Sequence, residues 1–285
     1  MKRLLLICAM VCASVVLSAQ SRIITEPVKS SVLGREVSVN VYIPAGFDRS
    51  EARYPVLYLL HGLYGTNVDW AESGQLKIVL DELIGTGEAA QMVVVMPCAG
   101  GPDVHAVQNG YFNVKDNAYE DFFFRELIPS METKYRCGGS KGARAISGLS
   151  MGGGGSTVYA QRHPDMFSSC YAMSAWLDNP MEASTDPEVT ADKMYITMKS
   201  VRDHSALDFV DNADTATVAA LQGVKWFLDC GDDDPLLPLT TELHQKMRQK
   251  RIACELRVRN GAHNWEYWHT ALRLSLPFAT RNFSR

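Results

Sequence analysis

Long runs of a single kind of residue are missing from this sequence. Its 28 lysines and arginines and 32 aspartates and glutamates give a formal net charge of -4, and no long basic stretch offers the positive charge that a phosphate backbone attracts. No internal repeat or low-complexity linker interrupts the 285 residues. The sequence therefore predicts a globular protein with a large core and no nucleic-acid partner.

Cysteine is also scarce, and its spacing matches no metal-binding or redox motif. Two of the seven cysteines, Cys8 and Cys12, lie near the N-terminus, and the other five are scattered without a CxxC pair. Cys170 and Cys230 stand in apolar runs, where a thiol usually serves as a small core residue. We therefore expect no metal site, and one disulfide stays possible although the sequence cannot pair it.

The N-terminus has the pattern of a targeting segment. Two basic residues precede the apolar residues 4–17, and two small residues follow them. This order predicts a secretory signal peptide over residues 1–19 and, after its removal, a single secreted or periplasmic domain over residues 20–285 without stable membrane insertion. An uncleaved membrane anchor is the alternative, but the apolar stretch is shorter than the about 20 residues that span a bilayer.

Short apolar runs alternate with longer amphipathic stretches along the rest of the chain. Predicted strands cover residues 37–44, 55–62, 92–97, 143–150, 167–174, 224–231 and 253–259, and predicted helices cover residues 119–135, 240–250 and 263–283. Such alternation predicts an α/β fold with a mostly parallel central sheet and helices on both faces. The polar, weakly periodic residues 178–214 predict a loop insertion that forms a lid or a binding loop.

A GxSxG motif surrounds Ser150 at the end of one predicted strand. Gly148 and Gly152 flank the serine, and a glycine-rich segment that turns helical follows it. Glycine lets the backbone turn sharply, so that the serine hydroxyl stands exposed at the sheet edge beside a helix N-terminus. This context favours a nucleophile over the alternative, a glycine-rich turn with an incidental serine.

The partners that such a serine needs follow it along the chain. A base must accept the hydroxyl proton, and a carboxylate must fix the tautomer of the base. Three aspartates, Asp232, Asp233 and Asp234, follow a late predicted strand, and His263 follows the last one. The order serine, acid, histidine is that of a hydrolase with a nucleophile elbow. Considered alone, the acidic triplet could be a solvated turn or a loose calcium site, and His269 is a rival base.

Further candidates surround this set of residues. We assign the two N–H groups of an oxyanion hole to Met151, directly after the serine, and to Leu63, in a loop after an early strand. His61, at the same strand end, is expected to be a structural histidine and not a base. Core packing is the default for the nearby tryptophans, and Trp176 and Trp265 are the candidates for contact with an aromatic or sugar group of a substrate.

Together these motifs resemble the esterase D-like group of α/β hydrolases, which includes the feruloyl and acetylxylan esterases of carbohydrate esterase family 1. The resemblance spans most of the mature chain and rests on PVLYLLHGLYG at residues 55–65, VVVMP at 93–97, YEDFFFRELIPSMETKYR at 119–136, GLSMGG at 148–153, GDDDPL at 231–236 and GAHNWEYW at 261–268. It implies the α/β-hydrolase fold, with Ser150 as the nucleophile and His263 as the base. The family acid stands three positions after a glycine, which implies Asp234, and the oxyanion donors map onto Leu63 and Met151.

The expected reaction is acyl transfer to water, without a metal or an organic cofactor. The resemblance implies a secreted serine carboxylesterase that acts on feruloyl or other hydroxycinnamoyl esters of plant polysaccharide, with acetylated xylan or short acyl esters as the alternative. A non-catalytic, carbohydrate-binding member of the fold is a further alternative, although such proteins usually lose a triad residue. Cytosolic S-formylglutathione hydrolases and secreted mycolyltransferases are similar too. The predicted signal peptide argues against a cytosolic S-formylglutathione hydrolase. The oxyanion loop has no feature that favours a mycolyltransferase.

Overall fold

A computed structural model describes residues 20–100 and 109–284 of the chain, and the signal peptide predicted over residues 1–19 lies outside them. The strands are β1 (Arg22–Ser30), β2 (Arg35–Ile43), β3 (Val56–Leu60), β4 (Val93–Pro97), β5 (Asn113–Val114), β6 (Asn117–Ala118), β7 (Arg144–Leu149), β8 (Ser169–Met173), β9 (Lys225–Gly231) and β10 (Cys254–Arg259). The helices are α1 (Asp69–Glu72), α2 (Leu76–Thr86), α3 (Tyr119–Phe122), α4 (Ile128–Lys134), α5 (Met151–Arg162), α6 (Pro187–Ala191), α7 (Lys193–Asp203), α8 (Ala206–Asp211), α9 (Thr215–Gln222), α10 (Leu237–Gln249) and α11 (Trp265–Asn282). A π-helical turn over Phe123–Leu127 joins α3 to α4, and short 3-10 turns occupy Phe47–Arg49 and Lys141–Ala143.

One large sheet organises the described residues. Its strand order is β1-β2-β4-β3-β7-β8-β9-β10. The strands from β4 to β10 in this order run parallel, whereas β2 pairs antiparallel with both β1 and β4. The predicted α/β fold with a mostly parallel sheet is therefore confirmed. After β3 the chain forms β4 on one side of β3, and it later forms β7 on the opposite side of β3. The carboxyl ends of β3 and β7 therefore form a switch point, which is the place where ligands bind in such sheets.

Side chains alternate between two cores on opposite faces of the sheet. In β3, Val56, Tyr58 and Leu60 belong to one core, and Leu57 and Leu59 belong to the other. The first core includes residues of α4, α5, α8, α9 and α10, and the second includes residues of α2 and α11. Because both faces are covered by helices, the central strands appear in the sequence as continuous apolar runs.

The seven predicted strands all correspond to strands of the large sheet, and the eighth strand of that sheet, β1, was not predicted from the sequence; neither were β5 and β6, which form a separate two-stranded sheet. Strand β1 has Pro27 near its centre and an alternating exposure pattern, and it pairs with β2 alone. Proline is tolerated in an edge strand because one side of the strand has no hydrogen-bonding partner in the sheet. A polar strand that contains proline is easily taken for a loop.

The prediction of a loop over residues 178–214 was wrong for the local structure, because four short helices, α6 to α9, occupy this region. Side chains of Asp186, Asp192, Ser205 and Asp214 each accept a hydrogen bond from a backbone N–H in the first turn of a helix. These N-caps satisfy amides that a helix leaves unpaired. The polar residues that made the segment resemble a loop are the residues that begin its helices.

The cysteines of the described residues are free thiols: Cys98, Cys137, Cys170 and Cys230 are buried, and Cys254 is half-buried. Within the same ranges, no group of three or more histidine, cysteine, aspartate or glutamate side chains is arranged to hold a metal ion. None of the described helices combines the length and apolar character needed to cross a bilayer.

Candidate active site

Ser150 occupies a sharp turn between β7 and α5. Its φ of 53° and ψ of -117° lie outside the regions that residues with a side chain normally adopt. Two backbone hydrogen bonds hold this conformation, because Ser150 N–H donates to Met173 O over 2.9 Å and Trp176 N–H donates to Ser150 O over 2.9 Å. A strained residue held from both sides is typical of a functional turn, and its hydroxyl is presented at the carboxyl edge of the sheet.

The glycines on either side of this turn allow a close approach of backbones. A Cβ atom added at Gly148 would lie 2.4 Å from the backbone oxygen of Gly152. One added at Gly152 would lie 2.5 Å from His61 O and 2.6 Å from Leu60 O. Helix α5 therefore begins directly against the ends of β3 and β7, which places its first amides beside the serine hydroxyl.

His263 lies between Ser150 and Asp234. Its Nε2 atom is 3.0 Å from Ser150 Oγ, and its Nδ1 atom is 2.9 Å from Asp234 Oδ2. A carboxylate can only accept, so Nδ1 carries the proton and donates it to Asp234, which leaves Nε2 free to accept from the serine hydroxyl. This is the arrangement that turns a serine hydroxyl into a nucleophile.

The three consecutive aspartates have different environments. Asp234 is 4% exposed, whereas Asp232 and Asp233 are exposed to solvent. Asp232 Oδ1 accepts a hydrogen bond from Gly261 N–H over 2.9 Å, which ties the turn after β9 to the loop that carries the histidine. The structure therefore brings Asp234 to the histidine and directs its two neighbours away from it.

Hydrogen bonds keep the Asp234 carboxyl group ionised despite its burial. Burial alone would raise its pKa, but donors on His263, Leu236 and Ser174 outweigh that effect and hold the pKa of Asp234 below its usual value. The Leu236 N–H donates to Oδ1 over 2.8 Å. A carboxylate that stays ionised when buried stabilises a positive charge that forms on the adjacent imidazole.

The two predicted oxyanion donors come from different parts of the sheet edge. Met151 is the first residue of α5, and the N–H groups of a first helical turn have no acceptor within the helix. Leu63 lies on the loop between β3 and α1, and it lines the same cavity as Ser150. The switch point thus brings both segments to the serine, and the role of their N–H groups as oxyanion donors stays a prediction.

The other two histidines considered from the sequence have structural surroundings. His61 Nδ1 donates to Gly62 O over 2.7 Å, and Ala99 N–H donates to His61 Nε2 over 2.8 Å. Burial lowers the pKa of His61, so the ring is neutral with both nitrogens in use. His269 Nδ1 is paired with Gly74 O over 2.8 Å, away from the serine.

A cavity of about 290 Å³ opens beside the serine hydroxyl. The residues that line it are Gly62, Leu63, Asp69, Leu149, Ser150, His263, Trp265 and Trp268. Its volume lies at the lower end of the about 300–1,000 Å³ found for sites of drug-sized ligands. Larger cavities, of about 500 and 400 Å³, lie against the residues between β8 and β9 and at the amino ends of β9 and β10, and no predicted site residue lines them.

The two tryptophans predicted to contact a substrate differ in position. Trp265 lines the cavity, with its ring edge-to-face against Trp70 at 5.3 Å and against Trp268 at 5.4 Å. Trp176 is half-buried against the core on the other face of the sheet and is absent from the described lining of this cavity. Residues 178–214 do not contribute to that lining either, so the wall of the cavity comes from α11 and the loop after β3.

Two residues that sequence reasoning did not assign to the site also touch it. Trp268 packs edge-to-face on the His263 ring, with 4.8 Å between the ring centroids, and its Nε1–H donates to Ser174 Oγ over 3.0 Å. The Ser174 hydroxyl is also among the groups that lower the pKa of Asp234. Its position directly after β8, at the same edge as the other site residues, was the signal that could have indicated it.

Comparison with known proteins adds a second line of argument. The sequence model of the family described as putative esterase matches residues 30–279. The chain belongs to this esterase family. A solved structure described as a ferulic acid esterase is 47% identical to it, with a TM-score of 0.88, and the match covers 93% of this chain and 99% of that chain. This esterase is therefore a feruloyl-esterase-like carboxylic ester hydrolase, which confirms the predicted family and enzyme class.

The chain is also similar to more distant proteins. An endo-1,4-beta-xylanase/feruloyl esterase of Xylanibacter ruminicola is 31% identical over 163 residues, which cover 56% of this chain and 22% of that protein. The match therefore spans about a fifth of the length of that relative. A ferulic acid esterase of Anaeromyces mucronatus, solved in complex with ferulic acid, is 20% identical with a TM-score of 0.69 over 92% of each chain, and shares the fold.

Proposed function

We propose that this esterase hydrolyses feruloyl or related hydroxycinnamoyl esters of plant polysaccharide with Ser150, His263 and Asp234 as its catalytic triad. The observation that carries the proposal is the chain of contacts from Asp234 through His263 to Ser150, at 2.9 and 3.0 Å, beside a cavity with tryptophans in its wall. The name of the xylanase/feruloyl esterase relative favours the same substrate class.

The first half of the reaction transfers the acyl group to the enzyme. Ser150 Oγ attacks the ester carbonyl carbon while His263 Nε2 takes the hydroxyl proton, and the carbonyl oxygen becomes an oxyanion. The backbone N–H groups of Leu63 and Met151 stabilise that oxyanion. His263 then donates its proton to the departing sugar oxygen, so that the alcohol leaves and the acyl group stays bound to Ser150.

The second half returns the enzyme to its starting state. A water molecule takes the place of the alcohol and attacks the acyl carbon while His263 accepts one of its protons. The tetrahedral intermediate collapses, the proton returns to Ser150 Oγ, and the carboxylic acid is released. Asp234 keeps its charge throughout and stabilises the imidazolium form of His263 in both halves.

The size and lining of the cavity favour an aromatic acyl group. A volume of about 290 Å³ accommodates one ring with a short chain better than several sugar units, so we place the acyl group inside and the carbohydrate outside. Trp265 and Leu63 offer apolar surface to the ring, and the Asp69 carboxyl group, which lines the same cavity, can accept a hydrogen bond from a phenolic hydroxyl. An acetyl group would use neither feature.

The energetic difference between the two acyl groups is large enough to measure. At about 25 cal/mol per Å² of buried apolar surface, roughly 100 Å² of extra contact favours the aromatic ester by about 2.5 kcal/mol before ordering costs. Acetylated xylan and short acyl esters remain the second candidate class, because the triad itself does not select the acyl group.

An activity panel with matched leaving groups tests the proposal. We expect Ser150→Ala to lower kcat on methyl ferulate by about a thousandfold or more, because only the oxyanion hole and binding remain. The native enzyme should show a higher kcat/KM for methyl ferulate than for methyl acetate, and Trp265→Ala should reduce that preference by about tenfold. Normal turnover by the alanine variant would refute the triad, and a native preference for acetate would refute the feruloyl assignment.

Trp176→Ala provides the matched aromatic control. Since Trp176 is outside the described cavity lining, its loss should alter the preference between ferulate and acetate less than the loss of Trp265. An equal effect of both substitutions would mean that Trp176 also contacts the acyl group.

We further propose that the esterase is secreted or periplasmic, because the basic, apolar and small-residue order of residues 1–19 is that of a signal peptide.

A further inference from the structure

A buried tyrosine ties the first turn of α11 to the large sheet. Tyr267 is the third residue of α11 and is 2% exposed, and its hydroxyl donates to Asp229 Oδ1 on β9. Asp229 has no exposed surface, and its carboxylate pairs with Arg257 of the neighbouring strand β10 over 2.8 Å. Burial and this carboxylate raise the pKa of Tyr267, so the phenol keeps its proton and donates it. The hydroxyl therefore anchors the start of α11 to β9.

The rest of Tyr267 contacts residues that flank His263 on both sides. Its N–H donates to Asn264 Oδ1 over 3.1 Å, and its carbonyl oxygen accepts from Arg259 Nη2 over 2.6 Å. The Arg259 guanidinium also stands over the tyrosine ring, 3.5 Å from the ring centroid. Gly261 lies against the same ring, because a Cβ atom added there would be 2.4 Å from Tyr267 Cδ2. The loop that carries the histidine is therefore folded around this one side chain.

The position of the histidine depends on the two ends of this loop. Residues 260–264 join β10 to α11, and the end of β10 is fixed by its pairing with β9. The other end is the start of α11, which Tyr267 anchors to the same strand. We propose that Tyr267, anchored on Asp229, is a positioning residue that holds His263 in line with the nucleophile and the acid; this rests on the triad proposed above.

The expected effect follows from the short distances in the triad. His263 Nε2 is 3.0 Å from Ser150 Oγ, and a displacement of about 1 Å lowers an enzymatic rate on the order of a hundredfold. Without its hydroxyl, the side chain at position 267 keeps its contacts with Arg259 and Gly261 but loses the anchor on the sheet. The loop can then move by part of that distance, which predicts a loss of about tenfold.

Tyr267→Phe tests the inference, and Tyr171→Phe is its matched control. Tyr171, on β8, is 1% exposed, and its hydroxyl donates to the other oxygen of the same carboxylate, Asp229 Oδ2, over 2.6 Å. Its ring packs against Phe227 and Phe278, which lie outside the histidine loop. Each variant therefore removes one buried donor from Asp229, and only Tyr267→Phe releases the start of α11.

We expect Tyr267→Phe to lower kcat on methyl ferulate about tenfold while KM stays within about twofold of the native value. The reason for the small change in KM is that Tyr267 is not among the described residues that line the cavity. Tyr171→Phe should change kcat by less than about twofold. Circular dichroism and thermal unfolding establish that both variants are folded before their kinetics are compared.

Proton NMR gives a readout that a general loss of stability does not change. The Nδ1–H of His263, which is shared with Asp234 over 2.9 Å, should give a resonance at low field that is lost in Asp234→Asn. In Tyr267→Phe we expect this resonance to shift or to broaden, because a looser loop exposes the proton to exchange with water. In Tyr171→Phe it should keep its native position and width.

Arg259→Met is the second variant, and it decides the matter if Tyr267→Phe does not fold. Methionine keeps an unbranched side chain over the tyrosine ring but removes the guanidinium that donates to Tyr267 O. We expect Arg259→Met to lower kcat and to change the low-field resonance in the same direction as Tyr267→Phe. Native values of both in the folded Arg259→Met variant would contradict the contact between the loop and Tyr267 as the cause.

The outcomes separate this inference from the proposed function. If Ser150→Ala is inactive while folded Tyr267→Phe keeps the native kcat and resonance, the positioning role is wrong and the triad stands. Equal losses of kcat in Tyr267→Phe and Tyr171→Phe would also overturn it, because the cause would then be the carboxylate of Asp229 and not the histidine loop. If Ser150→Ala remains active, the proposed function itself fails, and the role of Tyr267 fails with it.

Discussion

Replacement of Asp234 by asparagine tests the part of the site that sequence reasoning found hardest, the choice among three consecutive aspartates. The carboxylate of Asp234 accepts the Nδ1 proton of His263 at 2.9 Å and is almost completely buried. Asparagine has nearly the same shape, but its amide can present an N–H group to Nδ1. The imidazole then carries its proton on Nε2, and this nitrogen can no longer accept the proton of Ser150.

The expected loss follows from the change of tautomer. The same aspartate-to-asparagine change in a well-studied serine protease lowers kcat about 10⁴-fold, which corresponds to about 5.5 kcal/mol of transition-state stabilisation. We expect a loss of this order here, because the Nδ1 to Oδ2 contact is short and the site is closed to water at Asp234. Asp233→Asn, at an exposed position, should change kcat by less than about twofold.

Asp232→Asn is the more demanding control. Its Oδ1 atom accepts from Gly261 N–H at 2.9 Å, and asparagine retains an equivalent oxygen, so the loop that carries His263 should stay in place. The assay is the initial rate of methyl ferulate hydrolysis for the native enzyme and the three variants at one pH, with circular dichroism to establish folding. A larger loss in Asp232→Asn or Asp233→Asn than in Asp234→Asn would refute the assignment of the acid.

Two further predictions concern the turn at the nucleophile and the N-terminus. Gly152→Ala should lower the free energy of unfolding in urea by about 1–3 kcal/mol, because the new Cβ would lie 2.5 Å from His61 O. Gly85→Ala, in α2 with open space around it, should instead raise the free energy of unfolding by about 0.5–1 kcal/mol, and equal effects of the two substitutions would contradict the close approach at Gly152. Mass spectrometry of the exported protein should find Gln20 as its first residue, and a retained N-terminus would contradict the signal peptide.

The buried strands could be predicted because their physical cause is local. Strands covered on both faces read as continuous apolar runs, and this holds for β3 and β4, all of whose residues are buried. The edge strand β1 alternates between buried and exposed residues and contains Pro27, so its pairing with β2 depends on a neighbour that its own composition does not indicate. The helices α6 to α9 were missed because their N-caps and their exposed faces are both polar.

Side-chain contacts between distant segments could not be predicted in the same way. Trp176 and Trp265 are equally plausible from sequence, since each follows a strand and stands near a motif residue. The structure separates them, because Trp265 faces the cavity beside Ser150 and Trp176 packs against the core beneath α5. After a strand ends, the turn that follows decides on which face of the sheet a side chain packs. Two residues of irregular backbone are enough to move a side chain from one face to the other.

The length of chain between a strand end and a side chain explains which site residues the sequence could identify. Parallel strands end at one edge, as the pairing of Leu60 with Gly148 and of Gly231 with Arg259 shows. Four of the predicted site residues follow the ends of their strands by one to four positions: Leu63, Ser150, Asp234 and His263. At about 3.3–3.6 Å per residue, such a short tether keeps each of them near that edge whatever the loop conformation. Trp268 lies nine positions beyond Arg259, within α11, where the direction of the helix and not the strand end decides what it touches.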